Sequence, residues 1–337
     1  MKDPVIITEY TFKRGERIFS EYSDRIQWIV CAAEEETVAR KVQEEKARIV
    51  VLGVDRYQGP LYEVLSDTAK PAPAIIVRHG VGYDGINTEL CREHNIFLAN
   101  TPGVLDQSVA EHAIALLMSL ARNIPYLDRE FHEGRFVRKP GFELKGKILG
   151  IAGFGRIGKS VAAIASCGLG MTVEAFDLLP LARQAEGEGI SEEAFRTRYG
   201  LRGYHTEFEP FARLLDALSI NLPLNKATTH FINAHRLAAL KDGAILINTG
   251  RGPLVDEKAL YAALVSGKLG SAGLDVFERE PYTPVLPEMD LRTLPNAILT
   301  PHAASDTEEA NERMQRMVME NVFAYIQGQY EKLNRVV

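Results

Sequence analysis

A chain of 337 residues exceeds the roughly 250–300 at which a single hydrophobic core stops growing, so two domains are expected. Hydrophobic residues at 46% and charged residues at 25% are globular proportions, and a formal net charge of -6 without any long Lys/Arg block argues against a nucleic-acid partner. No run of about 18 apolar residues occurs, so no membrane span is expected; the apolar stretch 113–121 is too short to cross a bilayer.

The opening MKDPVIITEY lacks the basic region and apolar core of a signal peptide. Cys31, Cys91 and Cys167 are far apart and form no Cys-x-x-Cys pair. Neither a metal site nor a disulfide framework is expected, and a reducing cytoplasmic compartment is the natural setting.

Apolar runs of strand length recur at 49–54, 74–77, 96–99, 148–152, 172–176, 217–222, 244–247 and 297–299. Many lack polar alternation, as when helices cover both faces of a parallel sheet. Stretches of helical spacing separate them, which predicts stacked βαβ units and an α/β fold. Residues 104–122 read as a long helix, with Ser108 and Glu111 at capping-box spacing and Pro125 beyond its end. Residues 123–147 carry Tyr126, Phe131, Phe136 and Phe142 among polar neighbours, which suits either an arm packed on another subunit or a surface excursion. Residues 181–210, rich in Gly, Glu and Arg, read as a partly helical surface insertion. A last helix is predicted over about 306–327, stopped by Gly328, with Met314, Met317 and Met319 as packing residues. One domain is placed at 1–101 with 303–337 returning to it, the other at 102–302.

Gly153-x-Gly155-x-x-Gly158 lies between a predicted strand and a helical pattern. Gly153 permits a tight turn, Gly155 lets backbone approach a pyrophosphate, and Gly158 lets helix and strand pack closely. The N–H groups at the helix start then face the phosphates. The next strand ends at Asp177, nineteen residues beyond Gly158, where a carboxylate accepts bonds from both adenosine ribose hydroxyls and repels a 2′-phosphate. The nearest following arginine is Arg183, so NAD is preferred over NADP.

Reducing a keto acid requires a cation to hold the carboxylate and polarise the carbonyl, an acid–base group, and a partner that tunes it. Arg251 in INTGRGPLVDE, His302 in LTPHAAS and Glu280 in GLDVFEREP meet these needs, each after a strand or in its adjoining loop. Glu278 is a near rival of Glu280. His79, His94, His112, His132, His205, His230 and His235 read as structural or solvated.

The segments RHGVGYDGI, NTPGVLDQSVAEHAIALLMSLAR, GFELKGKILGIAGFGRIG, INTGRGPLVDE, AGLDVFEREP and LTPHAA run from Arg78 to Ala304. Together they resemble the D-isomer-specific 2-hydroxyacid dehydrogenases, which include phosphoglycerate dehydrogenases and glyoxylate/hydroxypyruvate reductases. The resemblance implies a Rossmann NAD-binding domain inserted into a flavodoxin-like substrate domain, both doubly wound. It further implies a homodimer built on the 123–147 arm and interconversion of a D-2-hydroxy acid and its 2-keto acid. In that likeness His302 exchanges the proton, Glu280 hydrogen-bonds it, and Arg251 binds the substrate carboxylate with the N–H groups of Val81 and Gly82. Arg156 and Ile157 flank the pyrophosphate. Leu222 and Pro223 also line the cofactor, and Asp275 with backbone near Thr249, Gly250 and Ala304 contacts the carboxamide. The family also includes NAD(H)-sensing corepressors that keep the triad, an alternative that turnover separates. Tyr57, Tyr83 and Leu105 are candidates either for the substrate side-chain pocket or for packing. Two departures stand out: Asp106, where many relatives carry a cofactor-contacting threonine, and the length of 181–210.

Overall fold

Segments such as Ile49–Leu52 and Ala244–Asn248 bury every residue, which requires helices on both faces of a sheet. The computed structural model describes residues 2–337. The chain divides into two compact units, Met1–Leu105 joined by Asp306–Val337, and Asp106–Ser305.

The first unit holds β1 (Asp3–Thr8), β2 (Ile26–Cys31), β3 (Ile49–Leu52), β4 (Ala74–Arg78) and β5 (Ile96–Ala99). They form one parallel sheet in the order β2-β1-β3-β4-β5. The terminal helix Glu308–Ile326, capped by Thr307, sets Val318, Met319, Val322 and Tyr325 among Val5, Ile7, Ile75 and Val77. Gly328, at φ +68°, follows its end. The last residues then run beside β5, where the Val336 N–H reaches the Leu98 carbonyl at 2.7 Å.

The second unit holds β6 (Ile148–Ala152), β7 (Thr172–Phe176), β8 (Leu201–His205), β9 (Ala217–Ile220), β10 (Ala244–Asn248), β11 (Leu269–Leu274) and β12 (Ala297–Leu299). The parallel order is β12-β11-β10-β9-β6-β7-β8. The winding reverses between β6 and β9, and ligands of open α/β sheets bind outside the carboxyl ends of strands at such a point.

Two expectations need correction. Residues 181–210 are no surface appendage. They form the helices Leu181–Gly187 and Glu192–Tyr199 and supply the edge strand β8. Phe195, Tyr199 and Tyr204 surround Phe154, with ring centroids 5.7–6.1 Å away, so four aromatics tie this segment to the glycine turn. Lys159 adds an ion pair to Glu188 at 2.7 Å. The long helix begins at Asp106 and ends at Ala121, and Ser108 lies buried inside it instead of capping it. Glu111 accepts a bond from Gln107 on its own helix, so no capping box forms.

Candidate functional site

The three glycines after β6 are required for three different reasons. Gly153 sits at φ +91°, and a Cβ there would lie 2.6 Å from the Asn221 carbonyl, so the turn passes against the end of β9. A Cβ on Gly158 would lie 2.3 Å from the Gly153 oxygen, which keeps the helix Arg156–Ala163 pressed on the turn. A Cβ on Gly155 meets nothing within 4 Å. The space that a side chain would fill there is the cradle a pyrophosphate needs. Lys159 is the first residue of this helix to donate its N–H to a backbone carbonyl, that of Gly155 at 2.9 Å. The preceding N–H groups of Arg156, Ile157 and Gly158 are thus available to an anion. Asp177 follows β7, its Oδ2 accepting from the Phe154 N–H at 2.7 Å and its Oδ1 from Leu179 at 2.9 Å. Arg183 is turned to Glu186 and is not paired with Asp177. Leu222 is half-buried and Pro223 exposed in the loop after β9.

The loop after β10 carries Arg251. Asn248 staples it, accepting from the Gly250 N–H at 3.1 Å and donating to the Arg251 carbonyl at 2.9 Å. Thr249 Oγ1 is buried there without a hydrogen-bond partner, a polar group facing the same strand ends. Gly252 lies so close to the segment after β11 that a Cβ would stand 1.9 Å from the Phe277 carbonyl carbon. Sequence reasoning missed this glycine, because its requirement comes from a segment 25 residues away.

His302 Nδ1 and Glu280 Oε2 are 2.7 Å apart, while Glu280 Oε1 accepts the Phe277 N–H at 3.0 Å. Burial works to raise the Glu280 pKa. The hydrogen bond and charge of His302, the Phe277 N–H and the Arg251 charge outweigh it and hold the carboxyl below its ordinary value. Of the two rival glutamates, Glu280 meets His302, whereas Glu278 Oε1 faces His230 at 3.1 Å.

Asp275 determines the path of the His302 loop. Its carboxylate is fully buried and accepts from Thr300 Oγ1 at 2.6 Å and from the N–H groups of Ala303 and Ala304, both at 2.8 Å. Its carbonyl accepts the His302 N–H at 2.8 Å. His302 itself lies at φ +52°, a left-handed conformation that a non-glycine residue keeps only where its surroundings over-determine it. His112 contributes here too, with Nε2 at 3.0 Å from Thr300 Oγ1.

In the first unit the Val81 carbonyl accepts from Asn100 Nδ2 at 2.8 Å, while the N–H groups of Val81 and Gly82 find no acceptor among the described residues. His79 is buried, and burial, followed by the Arg78 charge, lowers its pKa to about 3. Tyr57 is a core residue bonded to the Ala33 carbonyl, and Leu105 is buried; Tyr83 is exposed. Asp106 is half-buried, and burial raises its pKa against the opposing charge of Arg156. The methionines Met314 and Met319 are packed in the first unit. No cluster of three or more His, Cys, Asp or Glu side chains suited to a metal ion occurs among the described residues.

A family model for the D-isomer specific 2-hydroxyacid dehydrogenase NAD binding domain matches residues 114–304. The chain is 36% identical over 342 residues to a glyoxylate reductase of Korarchaeum cryptofilum, covering 98% of this chain and 94% of that one. It is 38% identical over 251 residues to a hydroxypyruvate reductase of Thermotoga maritima, covering 74% and 76%. A crystal structure of D-lactate dehydrogenase from Aquifex aeolicus, complexed with NAD and lactic acid, superposes with a TM-score of 0.83 at 26% identity over 99% of both chains.

The glycine geometry separates folding from ligand binding. Gly155→Val is expected to fold with a melting temperature near wild type but to lose the thermal upshift given by NADH. Gly158→Val forces the helix off the turn and should lower the melting temperature of the free protein. Differential scanning fluorimetry of both variants with and without NADH checks the contrast.

Proposed function

The chain belongs to the D-isomer specific 2-hydroxyacid dehydrogenase family of NAD-dependent oxidoreductases, and from that premise we propose that it interconverts a D-2-hydroxy acid and its 2-keto acid. The observation that carries this reading is the 2.7 Å His302–Glu280 contact, with the charge of Arg251 acting on the same carboxylate. Small 2-keto acids such as glyoxylate and hydroxypyruvate are the first substrates to try, since the relatives bear those names.

Arg251 carries a permanent charge, which suits it to bind the substrate carboxylate and polarise the carbonyl. The N–H groups of Val81 and Gly82 share the carboxylate in this proposal. With Nδ1 of His302 directed at Glu280, Nε2 is the nitrogen that gives a proton to the carbonyl oxygen in reduction and takes it back in oxidation. Glu280 fixes the ring through its contact with Nδ1. Because its folded pKa is depressed, its contribution is fully present above the unfolded carboxylate value of about 4.3. That contribution is lost only as pH falls through the lower folded value. When bound, the nicotinamide supplies the electron pair and hydrogen that reduce the keto carbon.

In this reading the second unit is the NAD-binding domain and the first the substrate domain. Gly153, Gly155, Arg156, Ile157 and Gly158 hold the pyrophosphate, and Asp177 takes the adenosine ribose hydroxyls. Leu222, Pro223, Thr249, Gly250, Asp275 and Ala304 line the rest of the dinucleotide. Asp275 acts there chiefly through the loop it holds, since its carboxylate is fully buried. NADH is the preferred reductant because Asp177 stands where a 2′-phosphate would come, although one structural neighbour is an NADPH-dependent reductase. Exposed Ile124, Phe131, Phe136 and Phe142 support the 123–147 arm as the contact of a homodimer. Free Cys31, Cys91 and Cys167 suit a reducing cytoplasmic compartment.

Three measurements test these statements. His302→Ala should reduce kcat for keto acid reduction by at least about 100-fold, and full activity in that variant removes His302 from the mechanism. The kcat/KM of wild type should favour NADH over NADPH, and Asp177→Ala should narrow that ratio; a wild-type preference for NADPH contradicts the role of Asp177. Replacing Phe131 and Phe136 together by Asp should convert the dimer to a monomer in analytical ultracentrifugation, whereas an unchanged mass rejects the arm as the contact.

A further inference from the structure

Behind the His302–Glu280 pair lies a second pair of acids that the proposed chemistry leaves unused. The helix Glu257–Val265 is already capped by Asp256, whose Oδ1 accepts the N–H groups of Lys258 and Ala259 at 3.1 Å. Its first residue, Glu257, is nevertheless turned inward and 4% exposed. Glu257 Oε2 accepts the Glu278 N–H at 3.2 Å, and the Glu257 N–H goes to Glu278 Oε1 at 2.9 Å. Each glutamate thus receives the backbone N–H of the other.

This exchange joins the two loops that carry the chemistry. On one side, Arg251 and Gly252 lead through the turn Gly252–Leu254 into Glu257. On the other, Glu278 adjoins Phe277, whose N–H is the tether of Glu280 Oε1. Gly252 packs on the backbone of Phe277 and Glu278, so the same two residues are gripped from a second direction. His230 braces the far side, its Nε2 on Glu278 Oε1 and its N–H on the Pro253 carbonyl at 2.7 Å.

The arrangement is a poor way to gain stability alone. Burying a carboxylate is unfavourable even where, as here, the backbone N–H groups of Glu278 and Val285 act on it. Burial first, and the charge of Glu278 after it, push the Glu257 carboxyl upward. A buried acid whose carboxyl is pushed upward, placed where it holds a neighbouring loop, is better explained by geometry than by stability.

We propose that Glu257 is a positioning residue: through its reciprocal bonds with Glu278 it fixes the segment carrying Glu280 against the Arg251 loop, and so sets where the His302 ring is held. This rests on the acid–base reading of His302 and Glu280.

The test is steady-state reduction of a keto acid by NADH over a range of pH, for Glu257→Ala, Glu257→Gln, Glu278→Ala and His302→Ala. Glu257→Ala should lose at least about tenfold in kcat, since small misplacements of reacting groups are costly. Its NADH affinity, read by fluorescence titration, should stay near wild type. Glu257→Gln keeps an acceptor for the Glu278 N–H and should recover most of kcat. The low-pH limb of kcat should move in Glu257→Ala and Glu278→Ala and stay in place in Glu257→Gln. Glu278 is the more exposed of the two, so Glu278→Ala decides the matter if Glu257→Ala does not fold. A lower melting temperature with wild-type kcat and pH limb, alongside an inactive His302→Ala, overturns the positioning role and leaves the acid–base reading intact. An active His302→Ala overturns both.

Discussion

A single fully buried carboxylate, Asp275, dictates the geometry of the loop that carries His302. It stands at the end of β11 and takes Thr300, Ala303 and Ala304, while its own carbonyl takes His302. A buried charge is tolerable only when its lone pairs are filled, and here the donors that fill them come from the loop after β12. The loop therefore has one folded path, and on that path His302 is driven to a positive φ. The imidazole is presented by the backbone before Glu280 touches it. Glu280 then needs only to fix the ring, which one oxygen does while the other is held by Phe277.

The glycines complement this acid. Gly153, Gly158 and Gly252 are places where backbone meets backbone too closely for any side chain, whereas Gly155 faces open space. The first three are structural demands; the fourth leaves room beside the turn. The same turn is secured laterally by Phe154 and its aromatic neighbours from the helix Glu192–Tyr199 and β8, and at its tip by Asp177. A rigid turn whose donors are already aligned spares a ligand much of the ordering that binding otherwise demands.

Much of this was legible in the sequence because it depends on local pattern. Apolar runs without alternation announced buried parallel strands, and β5, β6, β7 and β12 fall at the expected residues. The strand–glycine–helix sequence marked the turn, and Pro-His and Glu-Pro contexts marked two side chains that meet in space. What escaped depends on distant partners. Strand β8, with burial only at Leu201, lacks an apolar run, and its place at the sheet edge comes from pairing with β7. Ser108 matched a capping pattern, yet the helix starts at Asp106 and buries it. Tyr57 suits a pocket or a packing role by its sequence, and only its bond to the Ala33 carbonyl inside the core favours packing. The demand for Gly252 and the Glu257–Glu278 exchange arise from chain segments brought together only by the sheet.

The helix Glu308–Ile326 has a consequence for biosynthesis. The unit from Asp106 to Ser305 is one continuous stretch, so all seven of its strands are synthesised before that helix. The other unit lacks the face made by Val318, Met319, Val322 and Tyr325 until the helix Glu308–Ile326 has been synthesised. The nascent chain thus carries an early five-stranded sheet with one apolar side only partly covered, by Phe12, Phe19 and their neighbours, while its inserted partner is already able to fold. During that interval the incomplete face leaves apolar surface open to misassembly.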